Sequence, residues 1–309
     1  MRKIIAVAGP TAVGKTKYAI ATAKAFNGEI VSCDSMQLYK YMNIGSAKPT
    51  AEEQAEVKHW LVDEIDPKES FSVAKYSRMA KDAIEDIFSR GRTPVIEGGT
   101  GLYLNSLIYE MDFSGAPADD QLRLTLEKEA ELFGPEYIYS KLEAADPEAA
   151  RRIHPNNVKK VIRALEGASK GNKIEDFNKC KQKCKDYDVI LIGLTRNRHE
   201  LYDRINKRVD IMVEQGLFHE VEELLEMGLD EGDISMKGIG YKEIIGFFDR
   251  LYTCDEAIEL IKKNSRHLAK RQLTWFRRYE DMKWFNLSDY KSDDEAVEVV
   301  NEWVRTQML

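Results

Sequence analysis

The sequence contains no long hydrophobic run. None of its apolar stretches approaches the ~18 consecutive apolar residues that a membrane-spanning helix needs. The apolar stretch near the N-terminus, residues 3–8, is too short for a signal peptide and leads directly into a glycine-containing loop, so it predicts a buried strand. We therefore expect no membrane segment and a protein that stays in the cytoplasm.

Cysteine is also scarce, with four residues in a chain of 309. They form no CxxC pair, and no pair of histidines follows at the spacing of a zinc finger. Cys180 and Cys184 are four residues apart and could share a helix face, but they stand among alternating lysines. We therefore predict free surface thiols at these two positions rather than a metal site.

The chain has no excess of positive charge. Its net charge is −7, which by itself argues against a nucleic-acid partner. The charges are unevenly distributed, however: residues 262–278 carry seven Lys and Arg and no acid, and residues 151–163 carry five and no acid. Because local patches decide the attraction to phosphates more than the total does, a nucleic-acid partner remains open.

Strands and helices alternate in the first third of the chain. Its periodicity predicts an amphipathic helix that begins near Thr16 and stops at Asn27-Gly28, and a second helix over 73–90. Strands are predicted at 3–8, 28–34 and 59–65, and a strand with a tight turn at 94–101. This alternation indicates a parallel sheet wrapped by helices.

The loop after the first strand fits the pattern GxxxxGK[ST] completely, with Gly9, Pro10, Thr11, Ala12, Val13, Gly14, Lys15 and Thr16. It stands between a strand and a helix, which is the context that the motif requires. Backbone N–H groups of such a loop hold phosphate oxygens, the lysine adds a positive charge, and the Thr16 hydroxyl can bind Mg²⁺. The motif predicts phosphate binding but does not identify the phosphate compound or the reaction.

The pattern changes after Phe113, where a helical stretch from Asp119 to about Lys170 begins. An apolar run at 189–194 returns to the sheet, and 196–284 is predicted to be helical. We predict an α/β fold: a P-loop NTPase-like parallel sheet flanked by helices, with a helical insertion. The predicted domains are a core of 1–113 and 186–309, with a helical C-terminal part, and an insertion of 114–185.

Several polar residues are predicted at the edge of the sheet where ligands of parallel sheets bind. Asp34, at the end of the second strand, is a candidate general base or Mg²⁺ partner, although a turn-capping aspartate is common there. The glycines of 98–101 either approach a ligand or make a tight turn. Glu97 is either a second acidic group near the metal or a buried, hydrogen-bonded acid.

Two further features are ambiguous when taken alone. Arg204 and Arg208 are one helical turn apart and could clamp a diphosphate, but a solvated charged face is also common. Trp275 and Phe276, in the basic run 262–278, could stack on bases or belong to the core.

The ordered set of motifs resembles one family over nearly all of residues 1–280. GPTAVGKT, DSMQLY, IGSAKP, GGTGLY, VIRALE, IGYKE and LAKRQLTWFRR occur in the order and spacing of bacterial tRNA dimethylallyltransferases. The resemblance implies transfer of a dimethylallyl group from dimethylallyl diphosphate to N6 of the adenosine 3′ to the anticodon, in tRNAs that read codons beginning with U. It also implies Mg²⁺, tRNA as partner and, we expect, a monomer.

The resemblance also implies roles for individual residues. Asp34 matches the general base, Thr100 matches a residue that contacts the target nucleotide, and Arg204 and Arg208 match the helix that faces the diphosphate. The segments that match tRNA contacts comprise Ser35, Met36, Gln37, Arg123, Lys159, Lys160, Arg163, Lys237, Gly240, Tyr241, Lys242, Lys270, Arg271, Gln272 and Trp275. Lys160 replaces the usual arginine, and a lysine does not make the bidentate contacts of a guanidinium group. No zinc finger follows, as in the bacterial form.

Three other functions use the same phosphate-binding loop. A nucleotide or nucleoside kinase would transfer a phosphoryl group to a small acceptor, and a prenyltransferase acting on free adenine nucleotides would also need no segment that grips tRNA. In a non-catalytic RNA-binding protein, Asp34 at the end of the strand would have no function.

Overall fold

The computed structural model describes residues 1–111, 119–171 and 182–309. The chain divides into two compact units, one made of Met1–Ile108 with Cys184–Leu309 and the other of Tyr109–Lys183. The predicted start of the insertion at residue 114 lies outside the described residues. No helix in the described part of the chain combines the length and the apolar character that a membrane crossing requires.

The first unit is built on a parallel sheet of six described strands, in the order β3-β2-β4-β1-β5-β6. The two central strands are almost completely buried, because helices cover both faces, and this explains their continuous apolar sequence. The predicted α/β fold is confirmed. The strands are β1 (Lys3–Ala8), β2 (Gly28–Ser32), β3 (His59–Trp60), β4 (Thr93–Gly98), β5 (Asp188–Thr195) and β6 (Lys283–Asn286).

Four helices precede the second unit, and their ends follow from local sequence. The third helix begins after Ser72, whose hydroxyl accepts from the N–H of Lys75, and it ends before Gly91, which has a φ of 68°. Its buried stripe, which includes Tyr76, Ala80 and Ile84, packs on the sheet. These helices are α1 (Lys15–Ala25), α2 (Ala51–Glu56), α3 (Val73–Ser89) and α4 (Gly101–Ile108).

The second unit is helical in its described part. Its helices are α5 (Asp120–Phe133), α6 (Pro135–Ala145), α7 (Pro147–Arg152) and α8 (Val158–Ser169). Their apolar faces share a small core centred on Ile138, Leu142 and Val161, each completely buried. This agrees with the helical pattern predicted from Asp119 to about Lys170.

The chain returns to the first unit through β5, which pairs with β1 in parallel. Leu201, Ile205 and Val209 form the buried stripe of α9, and Met212 is partly buried. The remaining helices are α9 (Arg198–Glu214), α10 (Leu217–Glu226), α11 (Tyr241–Phe248), α12 (Cys254–Phe276) and α13 (Asp293–Met308).

Three sequence predictions about secondary structure are wrong in part. The strand predicted over 59–65 is only His59–Trp60, because Leu61 and Asp63 adopt φ values of 61° and 59°, which an extended strand cannot contain. The strand predicted over 28–34 ends at Ser32. The helical stretch predicted to 284 ends earlier, since β6 begins at Lys283 and extends the sheet beside β5.

The prediction of surface thiols is wrong for Cys184. Its thiol is free, as predicted, but the residue is only 7% exposed. It lies where the chain rejoins the first unit, and its N–H donates to the carbonyl of Ile108 at 2.8 Å. Cys180 lies outside the described residues.

Candidate active site

The phosphate-binding motif forms a tight loop between β1 and α1. A side chain at Gly9 would place its Cβ 2.7 Å from the carbonyl oxygen of Leu194, so only glycine lets the loop leave the sheet beside β5. Gly14 has a φ of 105°, in the left-handed region, and is the N-cap of α1. The free N–H groups of the first turn of α1 are therefore available to an anion at the loop.

Lys15 and Thr16 begin α1 and line the cavity beside the loop. The Nζ atom of Lys15 donates to the carbonyl of Pro10 at 3.2 Å. Burial lowers the pKa of this ammonium group, and the carboxylates of Glu97 and Asp34 only partly oppose the effect. A bound phosphate anion would stabilise its charged form.

Helix α9 directs its two predicted arginines at the loop. The Nε atom of Arg204 donates to the carbonyl of Ala12 at 3.0 Å, and Nη1 of Arg208 lies 3.5 Å from Oγ1 of Thr11. Burial lowers the pKa of the Arg208 guanidinium, while Asp34 and Glu97 act in the opposite direction. Both arginines thus contact the phosphate-binding loop, although Arg204 is exposed and only Arg208 is half-buried.

Arg196 is a third arginine at the loop, and the sequence analysis missed it. Its Nε atom donates to the carbonyl of Val13 at 3.1 Å, and its other nitrogens bind Glu200 at 2.6 Å and Asp293 at 2.7 Å. Only 7% of its side chain is exposed. Arg196 directly follows β5, so the rule that ligand sites form at the carboxyl ends of parallel strands could have found it.

Gln272 joins the two glycine-containing loops. Its Oε1 atom accepts from the N–H of Thr11 at 2.8 Å, and its Nε2 atom donates to the carbonyl of Gly99 at 3.0 Å. A Cβ at Gly99 would lie 2.3 Å from that nitrogen, so the contact requires glycine. Gln272, which was predicted to contact tRNA, therefore uses its side-chain amide to bridge the loops that follow β1 and β4.

Asp34 lies just beyond β2, beside the loop that follows β4. Its Oδ1 atom accepts from the N–H of Met36 at 2.9 Å, and among the described residues no donor lies within hydrogen-bonding distance of Oδ2. Oγ1 of Thr100 accepts from the N–H of Ser35 at 3.1 Å, and the N–H of Thr100 donates to the carbonyl of Cys33. These bonds hold Asp34 at the cavity wall with one carboxylate oxygen unengaged.

Glu97 is the residue before the last of β4, and it lines the same cavity. It is 3% exposed, and no donor in the described part of the chain lies within hydrogen-bonding distance of its carboxylate. Burial raises its pKa, an effect that Lys15 opposes and Asp34 reinforces. The described residues therefore supply no hydrogen bond to this acid, and its role stays a hypothesis.

The cavity has a volume of about 560 Å³ and changes from polar to apolar along α9 and α12. These helices are antiparallel, because Asn206 bonds to Arg266 at 2.5 Å and Asp210 to Lys262 at 2.8 Å. The polar end carries the phosphate-binding loop, Asp34, Glu97 and Gln272. The apolar end is lined by Met36, Val209, Met212, Leu217, Ile239 and Ile261, which belong to or pack against one hydrophobic cluster.

A buried glutamate anchors the loop that forms another wall of the cavity. The carboxylate of Glu220 accepts from the backbone N–H groups of residues 43–45 at 2.7 to 2.9 Å, and from the hydroxyl of Tyr241 at 2.9 Å. Gln37, which is 7% exposed, bonds to Ser32 and to the carbonyl of Ala47. Gln37 and Tyr241, both predicted to touch tRNA, are therefore engaged inside the protein.

The other predicted tRNA contacts of the first unit lie at or near the surface. Lys237 and Lys242 are exposed on either side of Gly240, a buried residue with a φ of 101°. Lys270 and Arg271 are exposed on α12. Trp275 is half-buried against Gly101, where a Cβ would lie 2.2 Å from the indole, whereas Phe276 belongs to the core.

In the second unit, three of the four predicted tRNA contacts are exposed. Lys159, Lys160 and Arg163 project from α8. Arg123 instead forms an ion pair with Glu166, at 2.9 Å from Nε and 2.7 Å from Nη2.

Comparison with known proteins identifies one consistent group of relatives. A sequence model of the family described as IPP transferase matches residues 37–279. A tRNA dimethylallyltransferase of Alkaliphilus oremlandii is 51% identical over 300 residues, which are 97% of this chain and 96% of the relative. One from Clostridioides difficile is 51% identical over 297 residues, 96% of each chain.

Solved structures agree with the sequence comparison. The tRNA isopentenylpyrophosphate transferase of Bacillus halodurans superposes with a TM-score of 0.76 at 43% identity, covering 99% of this chain and 96% of that one. A eukaryotic dimethylallyltransferase acting on tRNA gives a TM-score of 0.82 at 29% identity, over 99% of this chain and 80% of that one.

Proposed function

The chain belongs to the IPP transferase family, and we propose that it is a tRNA dimethylallyltransferase. It transfers the dimethylallyl group of dimethylallyl diphosphate to N6 of the adenosine 3′ to the anticodon, in tRNAs that read codons beginning with U, and releases diphosphate. The observation that carries the proposal is a single cavity with a phosphate-binding loop and an unengaged carboxylate at one end and an apolar lining at the other. A prenyl diphosphate has this same polarity.

The reaction is a displacement at the allylic carbon. The N6 nitrogen of adenine forms a bond to that carbon, the carbon–oxygen bond to diphosphate breaks, and diphosphate leaves with the electron pair. Asp34, whose Oδ2 atom faces no competing donor in the described residues, takes the proton from N6. The N–H groups of the phosphate-binding loop, Lys15 and Arg208 stabilise the departing negative charge.

The donor set of the cavity fits Mg²⁺ bound together with diphosphate. The described residues contain no group of three or more His, Cys, Asp or Glu that could hold a metal without further ligands. Thr16 lines the cavity and would supply a hydroxyl ligand, beside oxygens of the diphosphate and of water, which are the ligands that Mg²⁺ prefers. The ion would neutralise negative charge on the leaving group.

The exposed cations would bind the anticodon stem-loop. We propose that Lys159, Lys160 and Arg163 in one unit, and Lys237, Lys242, Lys270 and Arg271 in the other, contact tRNA phosphates. The target adenine must leave its stack to enter the cavity. Since tRNA is found in the cytoplasm and every proposed catalytic group comes from one chain, we also propose a cytoplasmic monomer.

A labelling assay tests the function. The protein is incubated with dimethylallyl diphosphate labelled in the prenyl group, or with ATP labelled in the γ-phosphate, and with tRNA or AMP as acceptor. We expect prenyl label in tRNA alone. Phosphoryl transfer would indicate the kinase, prenyl label in AMP would indicate an enzyme of free nucleotides, and no transfer would indicate a binding protein. Asp34→Asn, which removes proton acceptance at constant size, should slow tRNA labelling by ~10²-fold or more.

A further inference from the structure

Glu97 occupies a defined place beside the phosphate-binding loop. Strands β4 and β1 are parallel neighbours, with Glu97 opposite Val7 and Gly98 opposite Ala8, the last residue before the loop. Val7 and Val95 belong to the core cluster that contains Ala19 and Ala23 of α1. Because side chains alternate along a strand, Glu97 lies on the α1 face of the sheet, near the end of α1 that begins with Lys15 and Thr16.

A second buried glutamate shows how unusual this environment is. Glu29 is 1% exposed, and its carboxylate accepts from Arg90 and Trp60 at 2.8 Å and from Arg92 at 2.9 Å. The hydrogen bond from Arg90, together with that from Trp60, lowers the pKa of Glu29 to about 2. Glu97 is 3% exposed and has no such donor among the described residues. The carboxylate of Glu97 therefore faces the cavity without a donor from the described residues, where a ligand can reach it.

The chemistry of the cavity limits what can complete this carboxylate. Its phosphate-binding loop and arginines attract an anion, yet Glu97 lines the same cavity and would repel one. A cation between the two resolves the conflict. In P-loop proteins the Mg²⁺ that accompanies the phosphates is held by the Ser or Thr of the loop together with a carboxylate from a neighbouring strand.

We propose that Glu97 holds, together with Thr16, the Mg²⁺ ion that accompanies diphosphate. The inference deepens the proposed function and rests on its diphosphate site. It separates the two acids at the sheet edge: Asp34, beyond β2, serves the amine, whereas Glu97, on the strand next to the loop, serves the leaving group. Glu97 makes diphosphate binding dependent on the metal.

The test measures binding rather than turnover. Inorganic diphosphate is titrated calorimetrically into the protein at a series of Mg²⁺ concentrations and in excess chelator, without tRNA. For Glu97→Gln we expect the Mg²⁺ concentration that gives half-maximal diphosphate affinity to rise by ~10- to 100-fold. For Glu97→Asp, which keeps the charge on a shorter side chain, this concentration should lie between those of the wild type and Glu97→Gln. If thermal unfolding shows that Glu97→Gln does not fold, the comparison is made with Glu97→Asp alone.

Glu64→Gln is the control. Glu64 is exposed and does not line the cavity, so the substitution removes one carboxylate outside the site. Its Mg²⁺ dependence should equal that of the wild type. Two results overturn the inference. One is an unchanged Mg²⁺ dependence in both Glu97 variants. The other is that Glu97→Gln binds diphosphate more tightly than the wild type, both in chelator and in Mg²⁺. Failure of the wild type to bind inorganic diphosphate would instead reject the diphosphate site of the proposed function.

Discussion

Helices α9 and α12 run antiparallel along one cavity, and both are rich in cations, but they direct them differently. On α9, Arg204 and Arg208 point to the phosphate-binding loop and bond to its backbone or side chains. On α12, Lys270 and Arg271 are exposed, while Gln272 is the residue that reaches the loop. We therefore propose that a small diphosphate and a large polyanion meet separate sets of charges.

The largest effect that this comparison predicts is at Arg208. Arg208→Ala removes a half-buried donor at the leaving group, so the transfer rate should fall by ~10²- to 10³-fold. The salt dependence of tRNA binding should keep its wild-type slope. Single-turnover transfer and a tRNA salt series measure the two quantities. A variant that binds tRNA with a flatter slope and transfers normally would reverse the roles of the two helices.

The second prediction concerns the exposed pair on α12. Replacing Lys270 and Arg271 with Ala should weaken tRNA binding by roughly tenfold at 0.2 M salt and flatten the slope of log affinity against log salt by about 2. Binding of inorganic diphosphate should not change. Lys291→Ala, which removes an exposed charge outside both basic runs, is the control and should leave the slope unaltered. Equal slopes for all three proteins would remove α12 from the tRNA interface.

A smaller effect is expected at the apolar end of α9. Met212 is one helical turn beyond Arg208 and lines the apolar part of the cavity. Met212→Ala should weaken binding of dimethylallyl diphosphate by about fivefold, because ~1 kcal/mol of apolar contact is lost. Inorganic diphosphate, which has no prenyl group, provides the comparison and should bind as before. Equal losses for both ligands would place the prenyl group elsewhere.

The smallest effect concerns Gln272, the exception on α12. Gln272→Ala leaves the N–H of Thr11 and the carbonyl of Gly99 without their partner, which costs about 1–3 kcal/mol where water cannot replace it. The thermal midpoint should fall by several degrees, and tRNA affinity should stay within about twofold. Calorimetry and the same salt series measure these values. An unchanged midpoint with weakened tRNA binding would restore the contact that the sequence predicted.

The parts of the site that the sequence predicted are those encoded locally. The phosphate-binding loop is eight consecutive residues, Asp34 follows a strand, and the two arginines are four positions apart. The bridge from Gln272 to Thr11 joins residues 261 positions apart, and no local pattern encodes it. For the same reason the partners of Arg196 and of Glu220 could not be predicted.

The fold shows the same division. Long buried strands such as β1 and β5 were predicted because an apolar run leaves few alternatives. The four-residue strand β6 directly follows helical sequence, and it is a strand because it pairs with β5, which the sequence does not reveal. Within the helical C-terminal part that was predicted, no individual helix was placed at α13, although its first residue, Asp293, binds the Arg196 side chain.

The return of the chain at Cys184 has a kinetic consequence. Residues 108 and 184 are joined by a backbone hydrogen bond, and Tyr109 forms an antiparallel bridge with Lys183. The two ends of the segment Tyr109–Lys183 are therefore adjacent in the structure. If this segment condenses first from its own short-range contacts, it brings β5 within reach of β1 and shortens the search that a distant strand pair otherwise requires. We expect β1 and β5 to pair faster when the helical segment has already folded.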